Sequence, residues 1–171
     1  MVIGLSLNAF TNLHVLISLI GIVTGAIVLA QIFRGAWPER INQAFLVSTI
    51  LTSVTGFMFP FAKVLPSHIV GGISLAILAV ALLALYARHL AGAWRAVYIV
   101  LSVIALYLNV FVLVVQGFLK VGFLHDLAPT QKEPPFAIAQ GIVLIAFVAI
   151  GRLALKRFHP PASAGRTSGA L

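Results

Sequence analysis

Long stretches of apolar residues alternate with short polar segments along the chain. Five of these stretches contain no charged residue, and they cover residues 1–33, 41–62, 64–87, 96–119 and 134–151. A membrane-spanning helix needs about 20 apolar residues, so each stretch is long enough for one crossing and too short for two. The pattern predicts an all-α membrane protein, a bundle of five transmembrane helices near residues 13–33, 42–61, 67–88, 94–118 and 135–157.

The composition supports a membrane protein and excludes several kinds of functional site. Of the 171 residues, 61% are hydrophobic and 8% are charged, whereas about 25% of the residues in soluble domains are charged. A soluble globular domain is therefore excluded. The chain has no cysteine, which excludes disulfides, thiolate metal sites and cysteine nucleophiles.

The positive charges are distributed unevenly between the predicted loops. All seven arginines and Lys156 lie after the first helix, after the third helix, or at and beyond the end of the fifth, whereas Lys63, Lys120 and Lys132 lie on the other side. Basic residues accumulate on the cytoplasmic side of membrane proteins. We therefore expect the N-terminus outside and the C-terminus in the cytoplasm, with a five-helix domain over 1–157 and a disordered cytoplasmic tail over 158–171. The net charge of +8 then reflects orientation, and nucleic acid is not an expected partner.

Two histidines have equivalent positions in the first and third helices. His14 and His68 each lie near the start of a helix, and because these helices run in the same direction, both side chains should lie at the same depth on the outer side. Small residues follow each histidine on the same helix face, among them Gly21 and Gly72. Two imidazoles at one depth can ligate a b-type haem, and the glycines would leave room for the porphyrin. Together with Gln116 in the outer third of the fourth helix, they form a predicted cofactor site, with a quinone as a further candidate ligand.

Other interpretations of the same histidines remain open. His125 and Asp126 are predicted on the same outer side, and with His14 and His68 they would form a metal site. Alternatively, histidines at helix ends are interfacial side chains that bond to backbone groups or water. The sequence alone does not decide between these three interpretations.

The amides of the later helices also have two interpretations. Asn109 and Gln116 in the fourth helix and Gln140 in the fifth either hold helices together or line the polar path of a passive channel or carrier. The five predicted helices contain no Asp or Glu, so the carboxylate typical of a coupled transporter is missing. Motifs of hydrolytic catalysis are missing as well.

Three stretches carry a resemblance to known sequences: 55–61 (TGFMFPF), 106–112 (LYLNVFV) and 134–140 (PPFAIAQ). In these stretches the chain resembles small hypothetical integral membrane proteins of proteobacteria. The resemblance implies a protein of the bacterial inner membrane and implies no catalytic residues.

The sequence leaves several functions open. An accessory or structural subunit, or a membrane protein that binds a small ligand, is the general expectation. The most specific hypothesis is a redox protein with a single b-type haem, and the alternative is a passive channel or carrier subunit. The expected partners are the lipid bilayer and either other membrane subunits or a second copy, since Gly21 and Gly25 form a GxxxG pattern that suits close helix contacts.

Overall fold

Helices account for nearly all of the described structure. A computed structural model describes residues 2, 4–60 and 66–159, without the side chains of residues 66 and 67. In these ranges the chain forms no β-strand and six α-helices: α1 (Leu7–Phe33), α2 (Glu39–Gly56), α3 (Pro66–Leu82), α4 (Trp94–Lys120), α5 (Gly122–Leu127) and α6 (Pro134–Arg157). A π-helical turn at Leu83–Ala87 continues α3. The predicted all-helical fold is confirmed.

Four helical segments of the described chain are long and apolar enough to cross a membrane. They are Leu7–Phe33, His68–Ala87, Trp94–Lys120 and Pro134–Arg157. As predicted, the protein is therefore of the membrane-embedded type. The remaining predicted span corresponds to α2, which has 18 residues. This helix is less apolar because one of its faces carries buried polar residues, namely Asn42, Ser48, Thr49 and Ser53.

α2 packs antiparallel against α1. Near the end of α1, a Cβ on Gly25 would lie 2.9 Å from the ring of Phe45. Near the start of α1, Nδ1 of His14 lies 2.7 Å from Oγ1 of Thr55. Residue numbers along this contact decrease in α1, from Gly25 to His14, and increase in α2, from Phe45 to Thr55, so the two helices run in opposite directions. The contact is about 15 Å long at 1.5 Å per residue.

Two glycines of α1 make this packing possible. A Cβ on Gly21 would lie 3.3 Å from the hydroxyl oxygens of Ser48 and Thr49, and a Cβ on Gly25 would lie 2.8 Å from Leu106 in α4. Both glycines thus allow α2 and α4 to approach α1 closely. The GxxxG pair serves a contact inside the bundle.

α4 and α6 also pack antiparallel. Tyr107 in α4 contacts Phe147 in α6, with ring centroids 5.7 Å apart, and Phe118 contacts Phe136, with ring centroids 5.4 Å apart. Much of the outward face of α6 is apolar and exposed, as expected of a helix that faces lipid; its most exposed large side chains are Ile138, Ile142 and Ile145.

The two ends of the bundle differ in chemistry. We call the end at which α1 and α3 begin the histidine end, since it carries His14 and His68. The opposite end, at which α1 and α6 finish, is the arginine end, and it carries all arginines of the described residues, at positions 34, 40, 88, 95, 152 and 157.

A polar and aromatic cluster closes the arginine end. The Tyr98 hydroxyl donates a hydrogen bond to Oδ1 of Asn42 over 2.5 Å, and Phe158 packs against Trp37 and Tyr98. Arg95 donates a hydrogen bond to the carbonyl oxygen of Phe158. Phe158, predicted as the first residue of a disordered tail, is therefore part of the core. The rest of that predicted tail, from residue 160 onward, lies outside the described residues.

The start of α1 and the end of α2 differ clearly from their predicted positions. α1 begins at Leu7 rather than residue 13, because the Ser6 side chain accepts a hydrogen bond from the Ala9 amide and caps the helix. α2 ends at Gly56, because the next two amides, of Phe57 and Met58, bond to carbonyl oxygens three residues back. Its predicted end at residue 61 lies outside the described residues.

Candidate functional site

A cavity of 560 Å³ lies between α1, α2, α3 and α4 at the histidine end. Its wall contains His14, His68 and Gln116, so three of the residues singled out in the sequence share one site. Apolar side chains such as Leu19 and Val112 supply much of the remaining wall. Sites for small molecules typically measure about 300–1,000 Å³ and combine apolar walls with a few polar groups, so this cavity has the size and composition of such a site.

His14 is held by a hydrogen bond between two helices. Its Nδ1 lies 2.7 Å from Oγ1 of Thr55 in α2, and its ring meets the Phe59 ring edge-on, with centroids 5.2 Å apart. The other ring nitrogen, Nε2, forms no hydrogen bond with any described residue. His14 therefore has a fixed orientation and one ring nitrogen available to a ligand.

His68 is held by an aromatic contact. It is 9% exposed, and its ring stacks on that of Phe57, with centroids 5.7 Å apart and an angle of 22° between the planes. Gly71 gives Phe57 the space for this position, since a Cβ there would lie 3.1 Å from the ring. Two aromatic residues that follow α2 thus contact the two imidazoles of the site.

Hydroxyl and amide groups form the inner part of the wall. The hydroxyl oxygens of Ser53 and Ser74 lie within hydrogen-bond distance, 3.1 Å apart, and Nδ2 of Asn109 donates a hydrogen bond to Oγ1 of Thr49 over 3.3 Å. The hydroxyl of Thr52 is buried and has no hydrogen-bond partner among the described residues. An unpaired buried polar group of this kind costs about 1–3 kcal/mol.

An apolar layer separates the cavity from the arginine end. Phe45 of α2 and Leu106 of α4 meet at Gly25, and they are 2% and 3% exposed. The described wall residues all lie on the histidine side of this layer. The cavity therefore does not continue through the bundle.

Lys120 gives the cavity its charge. This residue ends α4 and belongs to the wall, and the described wall residues include no Asp or Glu. A positive charge without a nearby carboxylate attracts electron-rich groups. The cavity is thus better suited to a neutral or anionic head group than to a cation.

The other predicted site residues lie elsewhere. Gly21 packs against α2, and Gly72 is not a wall residue, whereas its neighbour Gly71 is. His125 and Asp126 are exposed on α5. In the part of the chain that the structure describes, no three His, Asp or Glu side chains form a group that could hold a metal ion, so the predicted four-residue metal set is not assembled there.

The three candidate amides have different surroundings. Asn109 and Gln116 belong to the cavity wall. Gln140 instead donates a hydrogen bond from Nε2 to the carbonyl oxygen of Phe111 over 3.2 Å, and this bond joins α6 to α4. Of the two roles open to Gln140, the structure thus shows the one that holds helices together.

Sequence reasoning misses two residues of this region. Thr55, the partner of His14, lies three residues after Thr52 and seven after Ser48, so helical spacing places all three on a similar face of α2. That spacing is a signal that could have identified it. Ser74 has a weaker signal, since in an otherwise apolar helix it lies seven residues after Ser67.

Comparisons with known proteins offer no counterpart of this cavity. No family model, no curated protein and no solved structure matches the chain. What the cavity binds must therefore follow from its own shape and chemistry.

Proposed function

We propose that this protein crosses the bacterial inner membrane five times and binds a small amphipathic molecule in the cavity at its histidine end. The composition of the cavity wall carries the proposal. Two imidazoles, amides and an ammonium group meet apolar side chains around one space of 560 Å³. A molecule with a polar head and an apolar body is complementary to such a wall.

The two faces of α2 support a fifth crossing. Its polar face is buried against the other helices, while large apolar residues of its outward face are exposed: Val47 (55%), Leu51 (44%) and Val54 (43%). Polar residues within a membrane segment face the interior of the bundle. An α2 that lies in the bilayer beside α1 would therefore contact lipid with apolar groups.

The arginines support the proposed orientation. They lie at one end of the bundle in the described chain, and basic residues mark the cytoplasmic side. The histidine end then faces the periplasm, and an amphipathic ligand would enter the cavity from the outer leaflet or the periplasm.

A b-type haem is the second candidate ligand, and the bond between His14 and Thr55 favours it. Histidines that ligate a metal usually donate their second ring N–H to a neighbouring group, and Nδ1 of His14 has such a partner at 2.7 Å. His14 and His68 would hold the haem, which would supply one-electron redox chemistry. Gly21 does not contribute the space expected for a porphyrin, because it contacts Ser48 and Thr49.

The remaining functions fit the cavity less well. A passive channel would need a path past Phe45 and Leu106, which pack tightly at Gly25. A purely structural subunit would not need a cavity of 560 Å³, since protein interiors contain few voids larger than a water molecule.

Binding of a short-tailed quinone, decylubiquinone, tests the proposal. The protein is placed in phosphatidylcholine nanodiscs, and binding to empty nanodiscs is subtracted. Val15→Phe would fill the cavity, because Val15 is a wall residue, whereas the matched control Leu16→Phe alters a residue that is 56% exposed and outside the wall. We expect saturable binding to the wild type and to Leu16→Phe. We expect the affinity of Val15→Phe to be lower by a factor of about ten or more.

Two results would count against this function. One is the absence of saturable quinone binding to the wild type, and the other is equal binding by Val15→Phe and Leu16→Phe. Visible spectra of the same samples, before and after dithionite, test the haem alternative. A Soret band that shifts on reduction and is lost in His14→Ala and His68→Ala would assign the cavity to haem.

A further inference from the structure

We infer that the ligand of the cavity presents a hydroxyl group as a hydrogen-bond donor to Nε2 of His14, as a phenol or a hydroquinone does. This inference rests on the proposed function, because it specifies the chemistry of the molecule that the cavity binds. It follows from the position of one hydrogen atom, which the neighbours of His14 determine.

The Thr55 hydroxyl has a single hydrogen and three neighbours. Its oxygen lies 2.7 Å from the carbonyl oxygen of Leu51, 3.2 Å from that of Thr52, and 2.7 Å from Nδ1 of His14. A carbonyl oxygen can only accept a hydrogen bond, so the hydroxyl hydrogen belongs to the contact with Leu51. Without a hydrogen between them, lone pairs of the Thr55 and Leu51 oxygens would face each other at 2.7 Å.

The hydrogen of the contact between Thr55 and His14 must then come from His14. Nδ1 carries it and donates to Thr55. A neutral imidazole has one N–H group, so Nε2 carries a lone pair and is an acceptor. Because no described residue donates to Nε2, the matching group on a bound molecule is a donor.

The rest of the wall narrows the class of ligand. Gln116 and Lys120 add N–H donors to the same cavity, and these suit an oxygen acceptor on the ligand. The apolar side chains Leu19 and Val112 suit a hydrocarbon body. A phenolic head combines an O–H donor with an oxygen acceptor on a flat apolar ring, and an alkyl tail extends it.

A pair of probes of nearly equal shape tests this inference. 4-Octylphenol carries the hydroxyl donor, and 4-octylanisole, its methyl ether, lacks it. Binding is measured in phosphatidylcholine nanodiscs, with empty nanodiscs subtracted. Since one hydrogen bond contributes about 0.5–1.5 kcal/mol, we expect the phenol to bind about twofold to twelvefold more tightly than the ether.

Two variants of His14 test whether the preference for the phenol depends on the acceptor Nε2. His14→Asn can place an amide N–H where Nδ1 lies and so keep the bond to Thr55, but it has no acceptor at the position of Nε2. We expect it to bind both probes with equal affinity. His14→Gln can place its amide oxygen near the position of Nε2, and we expect it to retain part of the preference for the phenol.

The possible outcomes separate this inference from the proposed function. If decylubiquinone binds the wild type but phenol and ether bind equally, the proposed function holds. The inference that the ligand donates a hydroxyl hydrogen bond to Nε2 of His14 is then wrong. A preference for the ether, or an unchanged preference for the phenol in a folded His14→Asn variant, also refutes it. If neither decylubiquinone nor either probe binds, the proposed function itself fails.

Discussion

Nδ1 of His14 and Oγ1 of Thr55 lie 2.7 Å apart and join α1 to α2 at the cavity wall. The bond fixes the orientation of the imidazole and leaves Nε2 as the nitrogen that a ligand can reach. This one contact therefore contributes both to the packing of α1 on α2 and to the chemistry of the cavity.

Removal of the Thr55 hydroxyl should weaken both the fold and the binding of a ligand. Thr55→Val leaves Nδ1 of His14 without its acceptor, at an expected cost of about 1 kcal/mol of stability, and the imidazole loses its fixed orientation. Thermal unfolding by circular dichroism and the binding of 4-octylphenol in nanodiscs measure the two effects. Thr24→Val is the matched control, because among the described residues Thr24 bonds only within α1, to Ile20 and Gly21. Equal stability and equal binding in the two variants would show that the bond has no such role.

A methyl group at Gly25 should destabilise the bundle. A Cβ there would lie 2.8 Å from Leu106 and 2.9 Å from Phe45, and overpacking of this kind costs about 1–3 kcal/mol. Gly72→Ala is the control, since a Cβ at that position meets no atom within 4 Å. We expect Gly25→Ala to unfold at a lower SDS concentration than the wild type, and Gly72→Ala to match or exceed it. A Gly25→Ala variant as stable as Gly72→Ala would contradict this close packing of α1, α2 and α4.

Single cysteines can count the membrane crossings, because the natural chain has none. With five crossings, Ser6→Cys and Asp126→Cys lie on the same side, and Ala36→Cys lies on the other. If α2 did not cross, Ser6 and Asp126 would lie on opposite sides. We expect an impermeant maleimide added to intact spheroplasts to label Ser6→Cys and Asp126→Cys, and to label Ala36→Cys only after lysis. Labelling of Ser6→Cys without Asp126→Cys would exclude the fifth crossing.

The hydrogen bond at the arginine end should matter for stability and not for binding. Tyr98→Phe leaves Oδ1 of Asn42 without the Tyr98 donor, and Asn42 is 1% exposed. An unpaired buried group of this kind costs about 1–3 kcal/mol. Tyr107→Phe is the control, because the Tyr107 hydroxyl forms no hydrogen bond with a described residue, and the ring contacts of Tyr107 are kept. Decylubiquinone binding should be unchanged in both variants once they are folded, and a loss in Tyr98→Phe alone would show that the two ends of the bundle are coupled.

Hydropathy and charge were sufficient to predict the five long helices, because charged residues separate the apolar runs, whereas the short helix α5 was not predicted. The bounds of α4 and α6 lie within two residues of those predicted. α2 was predicted less well, since the apolar run continues through Phe57 and Met58 although the helix ends at Gly56. Phe158 was missed because its burial depends on contacts with Trp37 and Tyr98, which are distant in sequence.

The candidate site shows what helical spacing can and cannot reveal. The direction of α1 and α3 placed His14 and His68 at one end, and both lie on the cavity wall. Gly21 was expected to leave space for a porphyrin, but it faces Ser48 and Thr49, because spacing within a helix does not tell which neighbour a face contacts. Thr55 was missed because its role depends on the register between α1 and α2.

Photolabelling with competition tests most directly whether the cavity binds an amphipathic molecule. A quinone with a short alkyl tail that carries a diazirine is irradiated with the protein in nanodiscs, and the labelled positions are identified by mass spectrometry. We predict adducts on wall residues of α1 and α4, such as Val15 and Val112, and we predict that excess decylubiquinone suppresses them. Adducts spread over the lipid-facing residues Ile142 and Ile145 of α6, unaffected by decylubiquinone, would contradict the account.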